Sequence, residues 1–246
     1  MIYKLKYYYK KYKTDKALVA SECTAANLRR IYNASLIGAL ISLIHIALFV
    51  FSPQGTSAAL ETWRLGIIFS HCTIFILFGT AFVISSHLKK TANRAMSLLL
   101  QYSVIGVIMA AGVIIVSIDQ LATSNITPFI VICLIMGTIF LVDPLKSLLI
   151  FAASYAAYYF SIAVASQPAE QLLSNRVNGI TAIGIGFALS VILWRLNVTN
   201  IKQKKRIVDQ QQQLEQANKE LERMAYFDVL TGLPNRRYFD EVLKKK

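Results

Sequence analysis

The chain has 246 residues, a formal net charge of +13, 55% apolar residues and only 16% charged residues. Soluble domains average about 25% charged residues, so this composition argues against a soluble globular protein. The three cysteines, Cys23, Cys72 and Cys133, form no spaced motif, which argues against a disulfide framework.

Residues 1–33 form a basic segment ahead of the first apolar block. Its first 13 residues mix Lys with Tyr, a composition that suits anionic lipid headgroups. A retained topology signal, with tyrosines at the membrane interface, explains the same composition more simply. We predict a cytoplasmic segment in contact with membrane lipid.

Six apolar blocks follow one another with only short polar connections. At about 1.5 Å per residue, each can cross all or most of a hydrocarbon core about 30 Å thick. We therefore predict an all-α membrane protein, with a six-transmembrane-helix bundle over residues 34–194. Asp143-Pro144 predicts a helix stop in a tight turn, with Lys146 close enough to neutralise the acid. The blocks are Ala34–Phe51, Leu65–Ile84, Ser97–Val116, Ile126–Val142, Ser147–Ala165 and Val177–Trp194.

Basic residues predict which side of the membrane each connection occupies. Lys89, Lys90 and Arg94 lie between the second and third blocks, and a further basic cluster follows the sixth. The opposite connections contain only Arg64 and Arg176. Because short basic loops stay in the cytoplasm, we predict a multi-pass protein of the bacterial plasma (inner) membrane with both ends cytoplasmic. The charge is then a topology signal, and we expect no nucleic-acid partner.

Polar side chains recur at one depth of the predicted bundle, about 10 Å below its outer surface. Such groups are costly inside a bilayer unless they are paired, so they should face the bundle interior. We interpret them as cross-helix hydrogen-bond partners; a small-molecule pocket, or haem or a metal held by His45 and His71, is the alternative. The residues are His45, His71, Cys72, Cys133, Tyr158 and Tyr159.

Residues 195–227 have the pattern of a helical stalk. The stretch between Phe187 and Thr231 contains neither Gly nor Pro, so one helix can continue out of the sixth block. A heptad pattern within it fits a weak parallel coiled coil and hence a homodimer, with a single solvated helix as the alternative. The predicted seam consists of Ile207, Gln210, Leu214, Ala217, Leu221 and Met224.

The stalk runs into Asp228-Val-Leu-Thr-Gly-Leu-Pro-Asn-Arg-Arg237, followed by Tyr238 and Phe239. Residues 228–246 resemble the beginning of a GGDEF domain, the catalytic domain of diguanylate cyclases. In that family a stalk commonly ends in Asp-x-Leu-Thr-Gly-Leu-x-Asn-Arg-Arg. The resemblance implies a pairing of Asp228 with Arg236 or Arg237. It assigns the coupling of stalk to domain to Asp228, Leu230, Thr231, Gly232, Asn235, Arg236 and Arg237.

The resemblance implies the sensory, signal-transmitting half of a dimeric membrane-bound diguanylate cyclase. Family members hold GTP and Mg²⁺ through carboxylates and a Gly-Gly-Asp/Glu-Glu-Phe turn, none of which matches a position of this sequence. Asp240 and Glu241, on the expected first helix of the domain, do not replace them. We therefore expect the 246 residues alone to make no cyclic di-GMP and to contain no catalytic residue.

Two other classes of protein fit parts of the sequence. A transporter-like or structural bundle would account for the six blocks but not for the closing motif. The sensor of a histidine kinase would account for the stalk, but no phospho-acceptor histidine follows the sixth block. The sequence does not identify the stimulus, which could be a small molecule or a physical change.

Overall fold

A computed structural model describes residues 2–91, 93–164, 167–228 and 231–244, and the side chains in these ranges except those of 2–11, 241, 242 and 244. The regular elements within these ranges are helices, which confirms the all-α class. They are α1 (Ile2–Val50), α2 (Ala58–Thr91), α3 (Arg94–Asp119), α4 (Thr127–Ile139), α5 (Pro144–Ser161) with a 3-10 turn at Ile162–Val164, α6 (Ala169–Tyr226) and α7 (Arg236–Lys244).

The chain divides into two compact units, the first ending at Asn197 and the second beginning at Val198. The first contains α1 to α5 and the amino-terminal part of α6. The second contains the rest of α6, a turn and α7. The sequence predicts that the stalk begins at Arg195, three residues before the second unit begins. Helix α1 has no break at Ala34, so the basic segment and the first apolar block belong to one helix.

Five helices in the described ranges are long and apolar enough to cross a membrane: α1, α2, α3, α5 and α6. Large apolar side chains point outward along them, with Ile44 59%, Phe69 75% and Ile76 61% exposed. Soluble monomers rarely expose contiguous apolar surface of this kind. The helices are therefore compatible with a multi-pass membrane protein.

The fourth apolar block is the exception to the predicted spans. It was expected to be helical from Ile126 to Val142, but α4 ends at Ile139 and has only 13 residues. Such a helix is about 20 Å long, short of the hydrocarbon thickness of about 30 Å. The count of six membrane-spanning helices is thus not borne out by helix length.

Helix α4 ends early because residues of α1 bind the backbone of its last residue and of the segment that follows it. The Arg30 guanidinium donates a hydrogen bond to the Ile139 carbonyl (2.6 Å). The Asn27 side chain donates to the Leu141 carbonyl and accepts from the Leu141 N–H, each at 2.9 Å. Pro144 then begins α5, and the Asp143 carboxylate accepts from the Lys146 N–H as its N-cap. A helix stop at Asp143-Pro144 was predicted, but the partners in α1 were not.

The core of the first unit lies where α3, α4, α5 and α6 meet. The Phe129 and Tyr158 rings stack with their centroids 4.2 Å apart, and neither is exposed. The backbones of α4 and α6 approach so closely that a Cβ on Gly137 would lie 2.4 Å from the Gly186 carbonyl oxygen. Small residues are therefore required at this crossing.

Candidate functional site

The turn after α6, in the second unit, is built by the segment predicted to couple stalk and domain. Phe227 and Pro234 form an antiparallel bridge, and the Asp228 N–H donates to the Leu233 carbonyl (2.8 Å). The Asn235 N–H donates to the Tyr226 carbonyl, also at 2.8 Å. These bonds bring the residues after the turn back against the end of α6.

Side chains of the motif hold this turn from within. One Asp228 oxygen accepts from both the Thr231 N–H (2.8 Å) and the Thr231 hydroxyl (2.9 Å). Gly232 has a φ of 68°, in the left-handed region where a side chain would be strained. The Asp, Thr and Gly of the motif therefore each have a local structural role. Leu230 lies outside the described residues.

Asn235 links the two helices on either side of the turn. Its amide nitrogen donates to the Ala225 carbonyl of α6 (2.8 Å), and its amide oxygen accepts from the Tyr238 N–H of α7 (3.1 Å). The second bond gives a side-chain acceptor to an amide of the first turn of α7, as an N-cap does; the same amide also donates to the Asn235 carbonyl (3.1 Å). One side chain thus fixes where α7 starts relative to the end of α6.

The two arginines of the motif have described contacts of different kinds. Arg236 approaches Asp240 one helical turn later, at 3.9 Å, and its side chain is 96% exposed. The Arg237 guanidinium lies 5.9 Å from the centre of the Tyr226 ring. The expected pairing of Asp228 with one of these arginines stays a prediction.

The predicted coiled-coil seam forms a solvent-exposed line on α6. Ile207 is 55%, Leu214 62% and Leu221 62% exposed. The other three seam positions, Gln210, Ala217 and Met224, are exposed as well. An apolar line of this kind on a helix needs a partner to be buried, so the homodimer stays a prediction that the exposed face favours.

In the first unit, the predicted polar layer divides into two groups. His45 of α1 and His71 of α2 lie together, with ring centroids 4.5 Å apart and planes inclined at 47°. Nδ1 of each ring is buried and has no hydrogen-bond partner among the described residues. Cross-helix hydrogen bonding, our preferred interpretation, therefore stays a prediction for these two histidines. Cys72, next to His71, is a half-buried free thiol.

The second group lies at α4, α5 and α6. Tyr158 is buried and donates its hydroxyl to the Asn175 carbonyl (2.7 Å), as cross-helix bonding predicts. Cys133 is buried and free. The Arg176 guanidinium lies over the Tyr159 ring, 3.6 Å from its centre. Among the described side chains, no hydrogen bond or ring contact joins this group to the histidines, and no cluster of three or more His, Cys, Asp or Glu could hold a metal.

A cluster that the sequence did not reveal surrounds Asp143, which is 5% exposed. Tyr12 donates its hydroxyl to the carboxylate (2.6 Å) and the Lys16 ammonium lies 3.2 Å from it. Burial raises the pKa of Asp143, but the hydrogen bonds from Tyr12, the Lys146 N–H and Lys16 outweigh it, so the pKa lies below its ordinary value. The cation in contact with the Asp143 carboxylate is Lys16. The Lys146 ammonium instead donates to the Tyr102 hydroxyl (3.0 Å).

Comparison with protein-family models, curated proteins and solved structures found no match to this chain.

Proposed function

We propose that this chain is the sensory and signal-transmitting half of a dimeric membrane-bound diguanylate cyclase whose catalytic domain begins at Asp228. The observation that carries the proposal is the turn between α6 and α7. This turn depends on hydrogen bonds made by Asp228, Thr231 and Asn235 and on the left-handed backbone of Gly232. Most other residue types could not take their places. A generic loop would need no such set of residues.

The turn supports the proposal because it can transmit orientation. Asn235 bonds to the last turn of α6 and also to the first turn of α7. Rotation of the stalk about its axis would therefore carry α7, and any domain built on α7, with it. A flexible linker would lose this information, because its entropy lets the domain reorient freely.

Transmission in the proposal runs along the seam from Ile207 to Met224. The partner is a second copy of the chain, paired in parallel at the a and d positions. Gln210 and Ala217 make the seam weak, so that a small change at the membrane can alter its register. In the proposal the stalk, the turn and the amino terminus lie on the cytoplasmic side of a bacterial inner membrane, which the basic connections favour.

Reception in the proposal involves the pair His45 and His71. Two buried nitrogens without partners are costly in a bilayer, and a stimulus that supplies a partner would shift the packing of α1 against α2. A small molecule, haem or a metal ion could supply that partner. Haem is tested by looking for Soret absorbance in the purified chain after haem supply.

The test is a chimera in which residues 1–246 are continued by the remainder of an active GGDEF domain. Membranes containing it are given GTP and Mg²⁺, and cyclic di-GMP is measured. We expect Asn235→Ala to change the output strongly, because it uncouples α6 from α7, while Gln212→Ala, at an exposed position of the stalk outside the seam, changes it little. Substitutions at His45 or His71 should also change the output, and His87→Ala should not. Output insensitive to the Asn235 and both histidine substitutions would favour a transporter-like bundle instead.

A further inference from the structure

The carboxyl-terminal end of α2 and the facing part of α1 carry cations that have no acidic partner among the described residues. Arg29 lies close enough to Lys89 for their like charges to repel, and both side chains are exposed. No ion pair among the described residues includes Arg29, Lys89 or Lys90. The preceding acid on α1, Glu22, lies about 10 Å further along the helix axis. An anion placed between the two cations would remove their repulsion.

Two stacked aromatic rings, Tyr32 of α1 and Phe82 of α2, support the Lys89 side chain. The Lys89 ammonium lies 3.2 Å from the centre of the Tyr32 ring, a cation–π contact. The Tyr32 ring is itself stacked on Phe82, with centroids 4.6 Å apart and planes inclined at 27°. The Lys89 side chain is therefore held over α1 rather than free to extend into solvent.

These cations lie where the apolar surface of the two helices ends. Ile37 on α1 is 56% and Val83 on α2 is 64% exposed, and each lies within about two helical turns of the cations. Tyr side chains concentrate at this level of a membrane, between hydrocarbon and water. The position is thus that of lipid phosphates rather than of the acyl chains or of bulk solvent.

We propose that Arg29 and Lys89, supported by Tyr32, bind the phosphate of an anionic phospholipid, whose acyl chains lie along the exposed apolar side chains of α1 and α2. The planar guanidinium of Arg29 can donate two parallel hydrogen bonds to a phosphate, and Lys89 supplies a second positive charge. A lipid with a net negative charge satisfies both cations. A zwitterionic lipid does so less well, because its own ammonium is repelled by them. The site does not depend on the proposed cyclase function.

The test is native mass spectrometry of the full chain, delipidated in detergent and titrated with phosphatidylglycerol or with phosphatidylcholine of the same acyl chains. We expect the first lipid to bind more tightly. Arg29→Gln and Lys89→Gln should each weaken phosphatidylglycerol binding about fivefold, and together roughly twenty-five-fold, as expected for the loss of one and two cations near a lipid surface. Lys89→Arg, which keeps the charge, should retain most of the binding.

The matched control is Lys204→Gln with Lys205→Gln, which removes the same charge from exposed positions of the stalk. It should leave phosphatidylglycerol binding unchanged. Equal binding of both lipids, or an equal loss in the stalk variant, would show attraction to net charge rather than a site and would overturn the proposal. So would full displacement by millimolar inorganic phosphate, since it would identify a free-anion site instead of a lipid site.

Discussion

Asn27 matters because it supplies both a donor and an acceptor to one buried peptide. Its amide pairs with the N–H and the carbonyl of Leu141, and both residues are almost fully buried. Asn27→Leu would leave both backbone groups unpaired, at about 1–3 kcal/mol each. We expect a loss of about 2–6 kcal/mol in unfolding free energy, measured by denaturant titration of the chain in micelles. Asn33→Leu, at an exposed position of α1, is the control and should be nearly neutral.

Two glycines of α6 lie two residues apart in the sequence but in different surroundings, and they allow a sharper comparison. A Cβ on Gly186 would lie 2.7 Å from the Cys133 carbonyl oxygen and 2.9 Å from the Phe151 ring, whereas one on Gly184 would meet nothing within 4 Å. Gly186→Ala should therefore lower the unfolding free energy by about 1–3 kcal/mol through overpacking. Gly184→Ala should be neutral or slightly stabilising, because Ala favours the helix. Equal unfolding free energies would contradict this packing of α4 against α6.

At the scale of elements, Asp143 joins α1 to the start of α5. Its pKa is held below the ordinary value of 3.8, so the carboxylate stabilises the fold at pH values above that and the stabilisation is lost as the pH falls through the lowered pKa. Unfolding free energy should thus decline as the pH falls below the ordinary value of 3.8 and through the lowered pKa. Asp143→Asn should be less stable at neutral pH, by about 1.5–3 kcal/mol for lost bonds to a charged group, and should flatten the decline. Asp209→Asn, exposed in the stalk, should do neither.

The exposed seam of α6 gives a prediction about association. A cysteine placed at Ala217 should form a disulfide with its copy on oxidation if two stalks pair in parallel. Leu214→Glu would put a charge into the seam and should greatly reduce this crosslink. Gln212→Glu adds the same charge on the outward side and should leave the crosslink intact. A stalk that exists as a single solvated helix would give no crosslink in any variant.

The sequence could predict how far α6 extends but not where α4 ends. The continuity of α6 into the stalk follows from residues within it, because a run without Gly or Pro contains nothing that ends a helix. The end of α4 at Ile139 depends instead on Asn27 and Arg30, more than a hundred residues earlier. A lone Asn in a helix next to apolar sequence was the available signal, but its partner could not be identified from spacing.

The candidate sites, too, could be predicted only where their contacts are local in the sequence. Residues 228–237 are close in sequence, and their hydrogen bonds are mostly local, so their pattern could be interpreted before the structure was known. The prediction of the polar layer rests only on how deep each residue lies below the outer surface of the predicted bundle. Depth does not determine which way a side chain points, and the structure divides the layer into the pair His45–His71 and a separate group around Tyr158.

At the scale of the whole molecule, the short α4 decides how many times the chain crosses the membrane. If α4 does not cross, the five long helices place the amino terminus and the stalk on opposite sides. Helix α4 covers about 20 Å, and Phe140–Val142 adds at most about 10 Å, so together they approach the hydrocarbon thickness of about 30 Å. Non-helical backbone is tolerated at such depth when protein groups satisfy it, as Asn27 and Arg30 do here.

We therefore expect six crossings, the fourth made by α4 and the segment after it. In a background without native cysteines, single cysteines at Lys13, Ser124 and Asn218, all exposed positions, are treated with a membrane-impermeant maleimide on intact bacterial cells. Ser124→Cys should react at once, whereas Lys13→Cys and Asn218→Cys should react only after the cells are permeabilised. Reaction of only one of the latter two in intact cells would mean five crossings, because an odd number places the two ends on opposite sides. The bonds from α1 to Ile139 and Leu141 would then hold a helix that enters the membrane without crossing it.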